Sequence, residues 1–172
     1  MRTFLFISAL LSHFLLFAQN QSPCSCCTVE HSQFDFWIGN WEVTDTTGTV
    51  VGHNTIVKEQ DNCLLKESWT STKSKFTGTS YNYYDSTNKK WHQVWIDNAG
   101  SQLNLSGGLV DNRMVLISEP FKDQSGQEKQ HQISWTPYND GTVRQEWVVI
   151  NLANDSSSTL FNGLYRKVKR DE

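Results

Sequence analysis

The chain predicts an all-β fold: a closed antiparallel up-and-down barrel of about ten strands, preceded by a short N-terminal helical turn. Three observations predict it. From Trp41 onward valine, isoleucine, threonine and aromatic residues dominate, the composition of a pleated, half-buried surface. Glycine and Asn/Asp clusters interrupt that pattern at short intervals. Short connections favour sequential antiparallel neighbours, and a meander of many strands leaves exposed edges unless it closes on itself. Finally, Glu67-Ser68-Trp69, Gln93-Val94-Trp95 and Gln145-Glu146-Trp147 each place a carbonyl-bearing side chain two residues before a tryptophan. A spacing of two puts both side chains on one face of a strand. A solid core avoids such groups, because an unpartnered buried polar group costs about 1–3 kcal/mol; a lumen that holds a ligand uses them.

The elements follow in order. Arg2, then an almost uncharged apolar run over 3–17, then Ala18 ahead of Gln19 read as a secretory signal. The run is shorter than the roughly 20 residues a membrane-spanning helix needs, and Cys24 lies well past it, so neither a membrane anchor nor a lipid anchor is favoured. The expected organisation is a signal peptide over 1–18, a cysteine-containing arm over 19–33, and one barrel domain over 34–170. The mature chain of about 150 residues is long enough for a real core. Residues 30–38 can form a helical turn with Phe34, Trp37 and Ile38 on one side, ended by Gly39. Ten strands are expected at about 41–46, 49–59, 63–72, 75–85, 89–97, 101–109, 112–119, 129–136, 142–151 and 159–168. The connectors, among them Thr47-Gly48, Asp61-Asn62, Asp111-Asn112 and Asn139-Asp140-Gly141, carry turn chemistry.

Alternation assigns the inner faces. In 63–72, Leu65, Glu67 and Trp69 oppose Lys66, Ser68 and Thr70, so the Glu/Trp face is inside. In 142–151, Val143, Gln145 and Trp147 oppose Arg144 and Glu146, with the same answer. By analogy Trp91, Gln93 and Trp95 face inward. In 75–85 the small and polar set Gly78, Ser80 and Asn82 can line a lumen while Tyr81 and Tyr83 cover the outside. Two readings stay open: the polar groups satisfy one another in a filled barrel, or they converge on a cavity.

An exported chain meets an oxidising environment, and four cysteines allow three pairings. A bridge between adjacent Cys26 and Cys27 would be strained, which favours Cys24–Cys27 with Cys26–Cys63. The alternatives are a zinc or Cu(I) site from Cys24, Cys26, Cys27 and His31, whose spacing matches no standard module, and a redox pair from Cys24 and Cys27. His53, His92 and His131 show no mutual ligand spacing.

With 15 basic and 18 acidic residues, a formal charge of −3 and no basic patch, the chain does not suit a nucleic-acid partner. No second long apolar run follows the first, so no membrane span is expected after signal cleavage. No nucleophile elbow, zinc-protease motif or phosphate loop occurs. Glu67 with Asp97 would form an acid–base pair if both faced one lumen.

The segment from Phe34 to Val43, with Gly39-Asn40-Trp41 at its centre, resembles the opening of lipocalin-like barrels of the calycin group, in which a Gly-x-Trp begins the first strand and the tryptophan closes one end. Cys63 ahead of Glu67-Ser68-Trp69, the run from Trp91 to Asp97, Ile133-Ser134-Trp135 and the run from Val143 to Trp147 are similar to a family of uncharacterised secreted bacterial domains of this type. The resemblance covers about residues 24–168 and implies the closed barrel. Nitrobindin-like haem barrels are a more distant similarity: this chain lacks their Gly-x-Trp-x-Gly-x-Gly opening, since Glu42 and Val43 follow Trp41, which speaks against haem. The expected function is a secreted or periplasmic binding module. Trp41 would close the bottom, and a partly apolar small molecule would lie among Trp69, Trp91, Trp95, Trp135 and Trp147. Glu67, Asn82, Gln93 and Gln145 would supply its polar contacts. The sequence names no cofactor.

Overall fold

A computed structural model describes residues 24–168. The expected signal peptide, the first part of the arm (19–23) and residues 169–172 lie outside the described residues. Two single turns of 3-10 helix, Glu30–Ser32 and Asp35–Trp37, occupy the segment expected as one helical turn. They bring Phe34 and Trp37 to full burial.

The rest is β: β1 (Gly39–Thr44), β2 (Val50–Glu59), β3 (Leu64–Ser71), β4 (Thr77–Asp85), β5 (Lys90–Asp97), β6 (Gln102–Val110), β7 (Arg113–Ile117), β8 (Phe121–Lys122), β9 (Glu128–Pro137), β10 (Val143–Asn151) and β11 (Ser157–Lys167). Every pairing is antiparallel, and the order β1-β2-β3-β4-β5-β6-β7-β9-β10-β11 returns to β1, closing a ten-stranded ring. Closure removes the unpaired edges that a meander would leave. The two-residue β8 was not foreseen; it pairs only with the start of β9, outside the ring. Within an antiparallel ring alternate strands run the same way, so β3, β5 and β10 are parallel in direction although none pairs with another.

Aspartates build many of the turns. The carboxylates of Asp45, Asp85, Asp97, Asp123 and Asp140 each accept the backbone N–H two residues on, at 2.8–2.9 Å. A short acidic side chain that mimics a backbone acceptor is what fixes a tight reversal.

One end of the barrel is closed by aromatic packing. Phe34 stacks on Trp37 at 5.0 Å and meets the edges of Trp91 and Trp135 at 5.6 and 5.1 Å. Trp41 donates its indole N–H to the Trp37 carbonyl at 2.8 Å, and Trp91 donates to Gln33 Oε1 at 3.2 Å. Offset and edge-on rings of this kind are favourable beyond their buried area. Met114, Leu116, Ile56, Leu65 and Val143 belong to the same buried core. Disulfides Cys24–Cys27 and Cys26–Cys63 secure the segment that carries the plug, the second of them to the turn before β3.

Candidate functional site

Because β3, β5 and β10 share a direction, the residue two positions after Glu67, Gln93 and Gln145 always lies toward the same end of the barrel. Trp69, Trp95 and Trp147 therefore form an upper tier at the end opposite the plug, and Glu67, Gln93 and Gln145 a polar tier one step below.

The polar tier is a continuous hydrogen-bonded chain across the barrel. Tyr165 donates to Gln145 Oε1. Asn54 Nδ2 donates to Tyr165 Oη at 3.3 Å and to Glu67 Oε1 at 2.7 Å. Ser80 Oγ donates to Glu67 Oε2 at 2.5 Å, and it accepts from Asn82 and Gln93 at 2.9 and 3.3 Å. Gln93 Nε2 also donates to Asn82 Oδ1 at 2.8 Å. All seven side chains are buried, so each bond replaces a contact with water that folding removed. Among the described residues Glu67 has no cationic partner. Burial pushes its carboxyl up to about 7, against the opposing pull of the hydrogen bonds from Ser80 and Asn54. Burial, reinforced by the charge on Glu67, also raises the Tyr165 hydroxyl well above the ordinary phenol range.

Above this floor is a cavity of about 360 Å3, within the range of small-molecule sites. Trp69, Trp95, Trp147, Leu103 and Phe161 supply its walls, Glu67, Gln93, Gln145 and Tyr165 its floor, and the exposed Lys73, Ser74, Phe76 and Leu160 its mouth. The indoles leave this volume free because glycines receive them. A Cβ at Gly78 would lie 2.0 Å from the Trp95 ring, and one at Gly52 would lie 2.4 Å from the Trp69 ring. Both indoles thus lie against bare backbone at the wall. Trp147 is held differently: its N–H donates to His131 Nδ1 at 3.0 Å. His131 stacks on Phe121 at 4.8 Å, and burial lowers its pKa from the ordinary imidazole value.

The structure divides the expected site residues into two sets. Glu67, Trp69, Gln93, Trp95, Gln145 and Trp147 come together around the cavity. Trp41, Trp91 and Trp135 do not line it; they are packed in the closed end, where Phe34 and Trp37 fill the space a ligand would need. Asn82 lies beneath the floor, donating to Ser80 and to the Leu65 carbonyl at 3.1 Å, and so supports the site from below. Asp97 does not join Glu67: its carboxylate caps its own turn, on the N–H groups of Ala99 and Ser101. No carboxylate pair exists for acid–base work between them. Cys24, Cys26, Cys27 and Cys63 are all spent in disulfides, so they offer no thiolate to a metal. Sequence reasoning did not single out Asn54, Tyr165 and Phe161. Alternation with the inward Ile56 marks Asn54, and Tyr165 and Phe161 flank Gly163 at spacings of two on β11. No known protein-family model matches this chain, and no curated protein matches it in sequence.

Proposed function

We propose that the protein is an exported binding module that holds a small, partly apolar molecule in the cup above Glu67. The observation that carries this reading is the pairing of a cavity of about 360 Å3 with indole walls and a polar floor. In the floor, Gln145 Nε2 and Gln93 Oε1 have no hydrogen-bond partner among the described residues, although the rest of both amides is engaged. That leaves one donor and one acceptor for a ligand. Export is supported by the apolar run at 3–17 with Arg2 before it and by two disulfides. Among the described residues no helix is long and apolar enough to cross a membrane. Membership of the lipocalin-like group belongs to the same proposal, supported by Gly39-Asn40-Trp41 at the start of β1 and by the burial of Trp41 at the closed end.

The test is intrinsic fluorescence. Three of the seven tryptophans line the cup, so a bound ligand quenches or shifts emission. If a broad panel of lipophilic and aromatic compounds leaves the spectrum unchanged, and Gln93→Leu raises stability, the cup is only an imperfectly filled core and the reading fails.

A further inference from the structure

We propose that the ligand of this cup is an organic cation, an ammonium group on a flat apolar body, with its charge lodged between the three upper indoles and the Glu67 carboxylate. The proposal rests on reading the cup as a ligand site and adds the class of molecule.

The first support is the charge inventory. Among the described residues that line the cavity two are acidic or basic: Lys73, exposed at the mouth, and Glu67, buried in the floor. Asn54 and Ser80 bond directly to Glu67, and Tyr165, Asn82 and Gln93 are bonded to those two, with Gln145 bonded to Tyr165; none of these is basic. A buried carboxylate without a counter-charge is costly, which is why such groups are nearly always paired. Here the fold supplies two hydrogen bonds to the carboxylate and no cation. A carboxylate has about four acceptor sites, so positions remain for an incoming N–H donor.

The second support is the tier above. The faces of indole rings carry negative electrostatic potential and attract cations within about 6 Å of the ring centroid, more strongly where water is excluded. Trp69 and Trp95 lie against glycine backbone at the wall and both line the cavity; Phe161 meets Trp69 at 5.9 Å and Phe76 meets Trp95 at 6.5 Å, extending the aromatic lining. Two residues of strand separate this tier from the polar one, roughly 7 Å. An ammonium between them meets the indoles above and the carboxylate below.

The other ligand classes fit less well. An anionic headgroup would approach Glu67 with no base in the floor to receive it. A neutral ligand would fill the volume and leave the carboxylate unpaired. The floor also makes the binding pH-dependent in a definite direction. A cation pairs with the ionised carboxylate, whose pKa in the empty cup is raised to about 7. Affinity therefore strengthens as pH rises through 7 and falls about tenfold for each unit below it.

Calorimetric titration with three probes sharing one body separates the classes: phenethylammonium, phenethyl alcohol and hydrocinnamate. The ammonium is expected to bind at least about tenfold tighter than the alcohol near pH 8, with hydrocinnamate weakest and the gap closing on acidification. Glu67→Gln is expected to bring ammonium and alcohol to similar affinity and to flatten the pH profile. The wild-type profile decides the matter even if that variant folds poorly. Binding of the alcohol or hydrocinnamate as tightly as the ammonium near pH 8 overturns the cation while leaving the cup a ligand site. Failure of the ammonium to bind also overturns it, and the wider compound panel then shows whether the cup reading falls with it.

Discussion

Glu67 makes the fold's stability depend on pH in a way that one substitution exposes. Burial raises its pKa from the ordinary value of about 4.5 to about 7. A carboxyl whose folded pKa is raised binds more protons in the folded state than in the unfolded state between those two values. Its contribution is therefore fully present below about pH 4.5 and is lost as pH rises through 7. A shift of about 2.5 units corresponds to about 3 kcal/mol. Glu67→Gln removes the titration while keeping the shape. The Asn54 carbonyl oxygen, which has no hydrogen-bond partner, can turn to accept from the new amide. The variant should match the wild type within about 1 kcal/mol near pH 4.5 and exceed it by about 2–3 kcal/mol near pH 8.5. The assay is urea unfolding of both proteins at several pH values, because the difference between them cancels every other titrating group. One of those is His131, whose lowered pKa acts oppositely, adding stability as pH rises through the unfolded-state value. If the two curves stay parallel from about pH 4.5 to pH 8.5, Glu67 does not titrate in that window and the account of the polar tier is wrong.

The two disulfides should differ in worth. Replacing Cys26 and Cys63, which close a span of 37 residues, should cost about 4 kcal/mol in the loop-entropy picture. Replacing Cys24 and Cys27, which close a span of 3, should cost about 2 kcal/mol; denaturant midpoints under non-reducing conditions rank them. Gly78→Ala places a Cβ inside the Trp95 ring position, so the indole must swing into the cup. Ligand affinity should fall at least about tenfold and the emission spectrum should shift, and an unchanged affinity would show that Trp95 does not shape the site. Trp37→Ala empties the centre of the aromatic plug and should cost about 3–5 kcal/mol, read as a loss in unfolding free energy. A loss below about 1 kcal/mol would mean that the closed end can collapse around the gap.

Local chemistry made the barrel legible before its coordinates. Strand alternation and turn residues each report on a few neighbouring positions, and the observed strands fall close to those expectations. The exception is β8, whose two residues leave no room for a period to show. The site was legible only in part. The Glu/Gln-x-Trp spacing identified the three strands that build the cup, because a two-residue step and a shared strand direction are both local consequences of the meander. The spacing could not say which tryptophans lie at the open end. Trp91 and Trp95 sit on the same face of β5, yet one is packed against Phe34 and the other lines the cavity. What separates them is the segment before β1, which folds back into one end of the ring. That is a long-range packing event with no periodic signature. The disulfide pairing was reachable by strain reasoning, since it needed only the cysteines' mutual spacing.

The bolted plug has a kinetic consequence. With one end of the ring stoppered by packed aromatic rings and pinned covalently to the turn before β3, a guest meets its door, among the described residues, at the opposite end. That door is framed by the hairpin tip around Lys73, Ser74 and Phe76. Entry and exit rates then belong to the tip, and the strength of the hold belongs to the indoles and the floor. Exchanging the tip should change how fast a guest crosses the threshold, inward and outward alike, and because Phe76 also leans on Trp95 the part of the tip that changes rates alone is the Lys73-Ser74 end.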